Sequence, residues 1–121
     1  MTRILVVEDE NMIAMELAWL VEDAGYLVLG PEWSVEGARK AIGKRVDLAL
    51  LDVNLGGETV FPVSKILDGM GIPFIFITSH SALLPAEYRQ RPLMTKPFNQ
   101  QDLLALILTV LAGSAQTDGD S

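Results

Sequence analysis

Leu48-Ala49-Leu50-Leu51-Asp52-Val53-Asn54 lies near the middle of the 121-residue chain, and its reading decides the fold. Four apolar residues in a row, without the alternation of a half-exposed strand, suit a strand buried on both faces, as in a parallel sheet. The run ends on an acid. The same pattern opens the chain, where Ile4-Leu5-Val6-Val7 ends on Glu8-Asp9-Glu10. It returns at Ile72-Pro73-Phe74-Ile75-Phe76-Ile77, which ends on Thr78-Ser79, with Pro73 placed at the start where a missing N–H is tolerated. Tyr26-Leu27-Val28-Leu29, closed by Gly30-Pro31, and the brief Leu93-Met94-Thr95, leading into Lys96-Pro97, complete five predicted strands.

Between these runs the period becomes helical. Over 11–24, Ile13, Leu17, Leu20, Val21 and Ala24 share one face, Met12, Met15 and Trp19 fall off it, and Gly25 stops the helix. Ser34 is placed to cap a short helix over 35–42, with Ala38, Ala41 and Ile42 inward. Residues 54–58 read as a loop with two glycines, after which Pro62 opens a helix carrying Val63, Ile66, Leu67 and Met70. From 79 to 92 the pattern weakens: Pro85-Ala86-Glu87-Tyr88-Arg89 makes one or two turns, and no full amphipathic helix fits. Asn99 with Asp102 resembles a capping box ahead of a last helix over 103–111. That helix is apolar almost all round, with Thr109 its only polar residue. A surface helix needs one apolar face, so the excess marks either a homodimer or partner interface or packing beneath the weak segment. The chain reads as one domain over 1–111 with a disordered polar tail over 112–121.

Composition narrows the functions. Nine Lys+Arg against sixteen Asp+Glu give a net charge of −7, which argues against a basic nucleic-acid groove or a polybasic membrane anchor. Without Cys there is no disulfide framework, thiolate zinc site or Cys nucleophile, and a single His, His80, excludes a His-rich metal site. No apolar run is long enough for a signal sequence or a membrane span, so the expectation is a cytoplasmic protein that binds neither membrane nor nucleic acid. The starting Met and polar tail favour a stand-alone protein.

Alternating strands and helices imply right-handed crossovers and a doubly wound α/β sandwich, whose site forms at the carboxyl ends of the strands near a topological switch point. Five groups end there: Glu8 and Asp9 after the first strand, Asp52 after the third, Thr78 after the fourth and Lys96 after the fifth. Neighbouring carboxylates resist joint ionisation. Lys96 supplies one offsetting charge, and a hard divalent cation taking oxygen ligands, Mg²⁺ by preference, supplies the rest. An Asp facing an ammonium and a hydroxyl is suited to accept a phosphoryl group, a reaction that needs mostly positioning and charge neutralisation.

Val7-Glu8-Asp9-Glu10, Leu51-Asp52-Val53-Asn54-Leu55, Ile77-Thr78-Ser79 and Lys96-Pro97-Phe98, in this order and at strand ends, resemble a response-regulator receiver domain across most of the chain. The resemblance implies a flavodoxin-like or CheY-like (βα)5 fold with a five-stranded parallel sheet, here with a weak or short fourth helix. It implies that Asp52 takes phosphate from a sensor histidine kinase or a phosphotransfer protein. Asp9, Asp52 and the Asn54 carbonyl would bind Mg²⁺ (or Mn²⁺), with Glu8 helping through water. Thr78 and Lys96 would meet the phosphoryl group, and Ser79 and His80, just past Thr78, would modulate its lifetime. Met12, Met15 and Trp19 would dock a kinase or pack on loops. Ile72 to Thr78, Leu84-Pro85 and Arg91 to Phe98 further resemble the FAT GUY subfamily, although Ser79 and His80 replace its usual Gly and aromatic. Leu93 stands where many receivers carry a switch aromatic, and Gly56 where many have Pro, which loosens the loop after Asp52; the conformational response is placed in residues 79–92, whose weak pattern implies low local stability, and in the last helix. The output is then contact with a downstream protein, without a DNA-binding segment. A haloacid-dehalogenase-like phosphatase would want a second Asp where Asn54 stands, a flavodoxin-like cofactor site would be repelled by Glu8-Asp9-Glu10, and an inert docking scaffold would not need the acidic set.

Overall fold

β1 (Arg3–Val7), β3 (Leu48–Asp52) and β6 (Phe74–Thr78) form the middle of the sheet and are buried along almost their whole length, as uninterrupted apolar runs require. The computed structural model describes residues 1–120; the side chains of Leu83 and of 114–120 lie outside the description, and with them most of the expected tail over 112–121. β2 (Leu27–Glu32) flanks β1 and β7 (Leu93–Thr95) flanks β6. The sheet is parallel throughout, in the order β2-β1-β3-β6-β7. The chain steps from β1 to one side for β2 and to the other for β3, so the switch point lies between the carboxyl ends of β1 and β3. Residues in register there are Val7 with Leu51, and Asp52 with Ile77 on the next strand.

Period two divides each apolar run between two layers. Ile4, Val6, Leu48, Leu50, Ile75 and Ile77 face α1 (Asn11–Asp23) and α4 (Gln100–Asp120), meeting Leu17, Leu20, Val21, Leu103 and Ile107. Leu5, Val7, Ala49, Leu51, Phe74 and Phe76 face α2 (Val35–Ile42) and α3 (Phe61–Met70), meeting Ala38, Ala41, Ile42, Val63 and Leu67. Truncating one such buried side chain to Ala costs about 2–5 kcal/mol. Ser34 caps α2 as expected, its Oγ accepting from the Gly37 N–H at 3.0 Å, and Asn99 caps α4, accepting from the Gln101 and Asp102 N–H groups. The apolar excess of α4 is mostly consumed in packing: Leu104, Leu106, Val110 and Leu111 are partly buried against the layer that α1 and α4 form on the sheet, and Leu108 is the large apolar residue left outward on the described part of the helix.

The structure departs from the expected elements in several places. β2 runs on through Gly30-Pro31 to Glu32, because the chain must carry the Glu32 carbonyl to the Glu8 N–H at 2.8 Å. Ala24 caps α1 from an exposed position, and Met70 turns outward at the end of α3. Residues 54–58 are more ordered than a loop. β4 (Asn54–Leu55) and β5 (Glu58–Thr59) form a hairpin whose two-residue turn puts Gly56 and Gly57 at φ +58° and +100°. Two positive φ values suit the mirror-image turns that match strand twist, and glycine adopts them without strain. Residues 79–92, by contrast, follow the expectation of isolated turns without a full helix: they hold two single 3-10 turns, Ser81–Leu83 and Ala86–Tyr88. No helix among the described residues is long and apolar enough to cross a membrane.

Aromatic packing, with no helical ladder, holds that segment. Tyr88 is buried, stacks on Phe61 with ring centroids 5.3 Å apart, and meets the edge of Phe76 at the same distance. Arg91 lies 4.5 Å from the Phe74 ring centroid and pairs with Asp68 of α3 at 2.6 Å.

Candidate functional site

Each predicted site residue sits where a strand runs out of sheet. Glu8 follows β1 and is held by its N–H to the end of β2; Asp52 closes β3; Thr78 closes β6, and its carbonyl accepts from the Lys96 N–H at 2.9 Å, which fixes the residue just past β7. Glu8, Asp52 and Thr78 are 2%, 6% and 5% exposed, so three polar side chains are buried together at one sheet edge.

Glu8, Asp9 and Asp52 each bring a carboxylate oxygen to within 4.8 Å of the other two. The Lys96 ammonium lies 2.8 Å from Glu8 Oε1 and 3.4 Å from Asp52 Oδ1. Three carboxylates against one ammonium leave the cluster short of positive charge. Burial first, then the adjacent Glu8 carboxylate, pushes the Asp52 carboxyl up to about 8; Lys96 pulls the other way without cancelling this. Burial alone would lower the Lys96 ammonium, but Glu8 and Asp52 outweigh it and hold its pKa above the usual lysine value.

Glu8 Oε2 accepts from the Glu10 N–H at 3.2 Å. Glu8 Oε1 is fully buried and has Lys96 as an ion-pair neighbour, yet no donor is aligned on it as a hydrogen bond. The Lys96 ammonium at 2.8 Å compensates that oxygen electrostatically. Three convergent carboxylates and a charge deficit fit a hard divalent cation that takes oxygen ligands.

A cavity of about 250 Å³ opens over these groups, walled by Asp9, Glu10, Asp52, Asn54, Gly56, Thr78, Ser79, His80 and Lys96. The residues predicted to meet the metal and the phosphoryl group are therefore together, with Glu8 beneath the cavity through its ion pair, whereas Met12, Met15 and Trp19 are exposed on α1 around a separate cavity. The Thr78 Oγ1 accepts from the His80 N–H at 3.1 Å, which leaves the hydroxyl hydrogen available to another acceptor. Ser79 and His80 are exposed at the rim. Leu93, in the expected aromatic position, pairs in register with Phe76 and packs against the aromatic layer. Periodicity gave no sign of Tyr88, since a residue in a lone 3-10 turn shares no stripe with others. Nor did it mark Glu16, which joins Glu10, Ser79, Lys96 and Phe98 around a second cavity beside the first.

Residues 4–108 match the model of the response regulator receiver domain. The chain is 35% identical over 116 residues to the phyllosphere-induced regulator PhyR of Methylorubrum extorquens, covering 91% of this chain and 43% of that one. The solution structure of SdrG from Sphingomonas melonis superposes with a TM-score of 0.81 at 37% identity, over 92% of this chain and 97% of the other. The anti-anti-sigma factor PhyR from Bartonella quintana superposes with a TM-score of 0.85 at 32% identity, over 98% of this chain and 51% of the other. The chain thus spans about half the length of several curated relatives that it matches.

Proposed function

Because the chain belongs to the response regulator receiver domain family, we propose that it is a phosphorylation switch in which Asp52 accepts a phosphoryl group from a sensor histidine kinase or a phosphotransfer protein. The observation that carries this reading is the buried cluster itself: Asp52 beside Glu8 and Asp9, with Lys96 3.4 Å from its carboxylate and Thr78 on the same cavity wall.

An Asp52 oxygen attacks phosphorus, the bond to the donor's leaving atom breaks, and its electron pair departs with the leaving group. Asp52 must be ionised to do this, and its raised pKa means that added positive charge is required. Glu8, Asp9, Asp52 and Asn54 would hold Mg²⁺ (or Mn²⁺), which supplies charge neutralisation for the carboxylates and for the incoming phosphoryl oxygens. Lys96 is near enough to follow the new negative charge from Asp52 outward, and Thr78 has its hydroxyl hydrogen free for a phosphoryl oxygen. Ser79 and His80, at the rim, govern how readily water reaches the acyl phosphate and so set its lifetime.

The switch then travels through Thr78 into residues 79–92, which lack a helical ladder and rest on the Tyr88 and Arg91 contacts. Its readout is contact with a downstream protein in the cytoplasm. That one similar structure is named an anti-anti-sigma factor supports protein competition as the kind of output. Incubating the protein with a small phosphodonor and Mg²⁺ should add the mass of one phosphoryl group, and Asp52→Asn should abolish the gain. Equal labelling of the variant would refute the assignment.

A further inference from the structure

Residues 81–91 rest on the fold through side chains. The N–H groups of Leu84, Tyr88, Arg89 and Arg91 all donate within the segment, to the carbonyls of Ser81, Pro85, Ala86 and Tyr88. Three side chains reach outward from it. Leu84 and Tyr88 are buried in the apolar cluster, and Arg91 joins Asp68 through two bonds, Nη2 to Oδ1 at 2.6 Å and Nη1 to Oδ2 at 3.2 Å. The groove that receives them is built from Phe61, Ser64 and Asp68, spaced i, i+3, i+7 along one face of α3, and from Phe74 and Phe76 of β6. Tyr88 stacks on Phe61 with 13° between the ring planes and meets Phe74 and Phe76 edge-on. Ser64 is buried beside the Tyr88 hydroxyl.

We propose that residues 84–91 are an internal ligand, and that the groove between α3 and β6 binds a partner segment presenting an apolar side chain, an aromatic ring and a cation in that order. Leu84, Tyr88 and Arg91 stand at i, i+4 and i+7, the spacing that puts three anchors on one face of a helix bound in a groove. The chain itself forms only a single 3-10 turn there, so it uses the anchors without a helical backbone ladder. A partner helix makes the same three contacts and keeps its ladder complete. Charge favours such a partner: Asp68, its side chain 40% exposed, offers the carboxylate, and the chain around it carries −7, which attracts a cationic segment. While the groove is filled from within, the tethered segment competes at an effective concentration of roughly mM, so a partner meets a low apparent affinity until the segment lifts. Thr78 stands two residues beyond Phe76 on β6, and the segment starts just past it, so phosphorylation would lift the segment from that end. This control rests on the phosphoacceptor reading, and the groove does not.

The test uses the full chain and a fluorescein-labelled peptide of residues 84–91, with binding read by fluorescence anisotropy. Arg91→Gln breaks the tie to Asp68 and leaves the aromatic layer in place, so the variant keeps its fold. A partly exposed ion pair is worth roughly a factor of five, so Arg91→Gln should bind the peptide about fivefold more tightly than the unaltered protein. Adding Asp68→Asn should remove that gain, and the peptide carrying Tyr88→Ala should lose binding to both proteins. Labelling the unaltered protein with a small phosphodonor and Mg²⁺ should tighten binding in the same direction, and Asp52→Asn should show no response. Equal affinity of Arg91→Gln and the unaltered protein, or binding indifferent to the tyrosine of the peptide, overturns the proposal. So does an Arg91→Gln protein that sediments as a dimer and takes up no peptide, because the occupant is then a second copy. A phosphoryl mass gain without tighter binding overturns the control by phosphorylation. Absence of any mass gain overturns the phosphoacceptor reading and leaves the peptide comparison standing.

Discussion

Replacing Asp52 by Asn should stabilise the metal-free protein, by an amount that grows with pH. Glu8, buried within 4.8 Å, repels an ionised Asp52 by about 3–4 kcal/mol at an effective dielectric constant near 20. Asp9, half-exposed, adds about 1 kcal/mol after screening by water, and Lys96 at 3.4 Å returns about 4–5 kcal/mol. The Coulombic contributions nearly cancel, and the surplus is the desolvation of Asp52 itself. A carboxyl moved from 3.8 to about 8 corresponds to a ceiling of roughly 6 kcal/mol. Solvent reaching the open side of the cluster, and the polar demand of a buried Asn, reduce the expected gain to about 2 kcal/mol. Below the unfolded value of 3.8, Asp52 is protonated in both states and contributes no difference. As pH rises from there the unfolded chain releases its proton first, the native state holds more protons, and the wild type loses stability until the folded value near 8, above which the loss is complete. Urea unfolding of both proteins with EDTA across this range measures the difference directly. Mg²⁺ should reverse the order, stabilising the wild type and leaving the variant nearly unmoved. A variant no more stable than the wild type near neutral pH without metal, or an equal response of both to Mg²⁺, would refute the reasoning.

Other perturbations probe the same framework. Lys96→Met leaves Glu8 buried at 2% exposure without its cation and should cost about 3–5 kcal/mol in metal-free urea unfolding; an unchanged midpoint would show that Lys96 does not hold the cluster together. Gly30 has φ +89°, and a Cβ there would lie 2.7 Å from the Glu32 nitrogen and 2.9 Å from the Val6 oxygen, whereas Gly57 at φ +100° meets open space. Gly57→Ala should therefore cost about 1–2 kcal/mol and Gly30→Ala clearly more, and equal melting temperatures would contradict the tight approach of β2 to β1. Tyr88→Ala should cost about 3–5 kcal/mol and raise amide exchange across residues 79–92, while Tyr88→Phe, which keeps the ring stack on Phe61, should change both little.

Much of this was legible in the chain because the informative signals are local. Runs such as Ile4 to Val7 and Leu48 to Leu51 can be buried on both faces only in a covered parallel sheet, and the rule that its site lies at the carboxyl ends then collects Glu8, Asp9, Asp52, Thr78 and Lys96. What escaped depends on tertiary contact. The β4–β5 hairpin is too short for any period to register, the extension of β2 answers to a single bond from the Glu8 N–H, and Tyr88 is fixed by three rings from two other elements, α3 and β6. The apolar excess of α4 left open an interface or packing beneath the weak segment, and most of it packs inward against the strands and α1, because a helix seated on the sheet beside another helix buries more than one stripe.

The central claim is that one buried carboxylate at the end of β3 accepts phosphate because its neighbours are neutralised. The most direct measurement is phosphodonor labelling with Mg²⁺, followed by borohydride reduction of the acyl phosphate and peptide mapping. The account predicts a single reduced residue at Asp52, absent when EDTA replaces Mg²⁺. Modification at another residue, or labelling that persists without the metal, would contradict it.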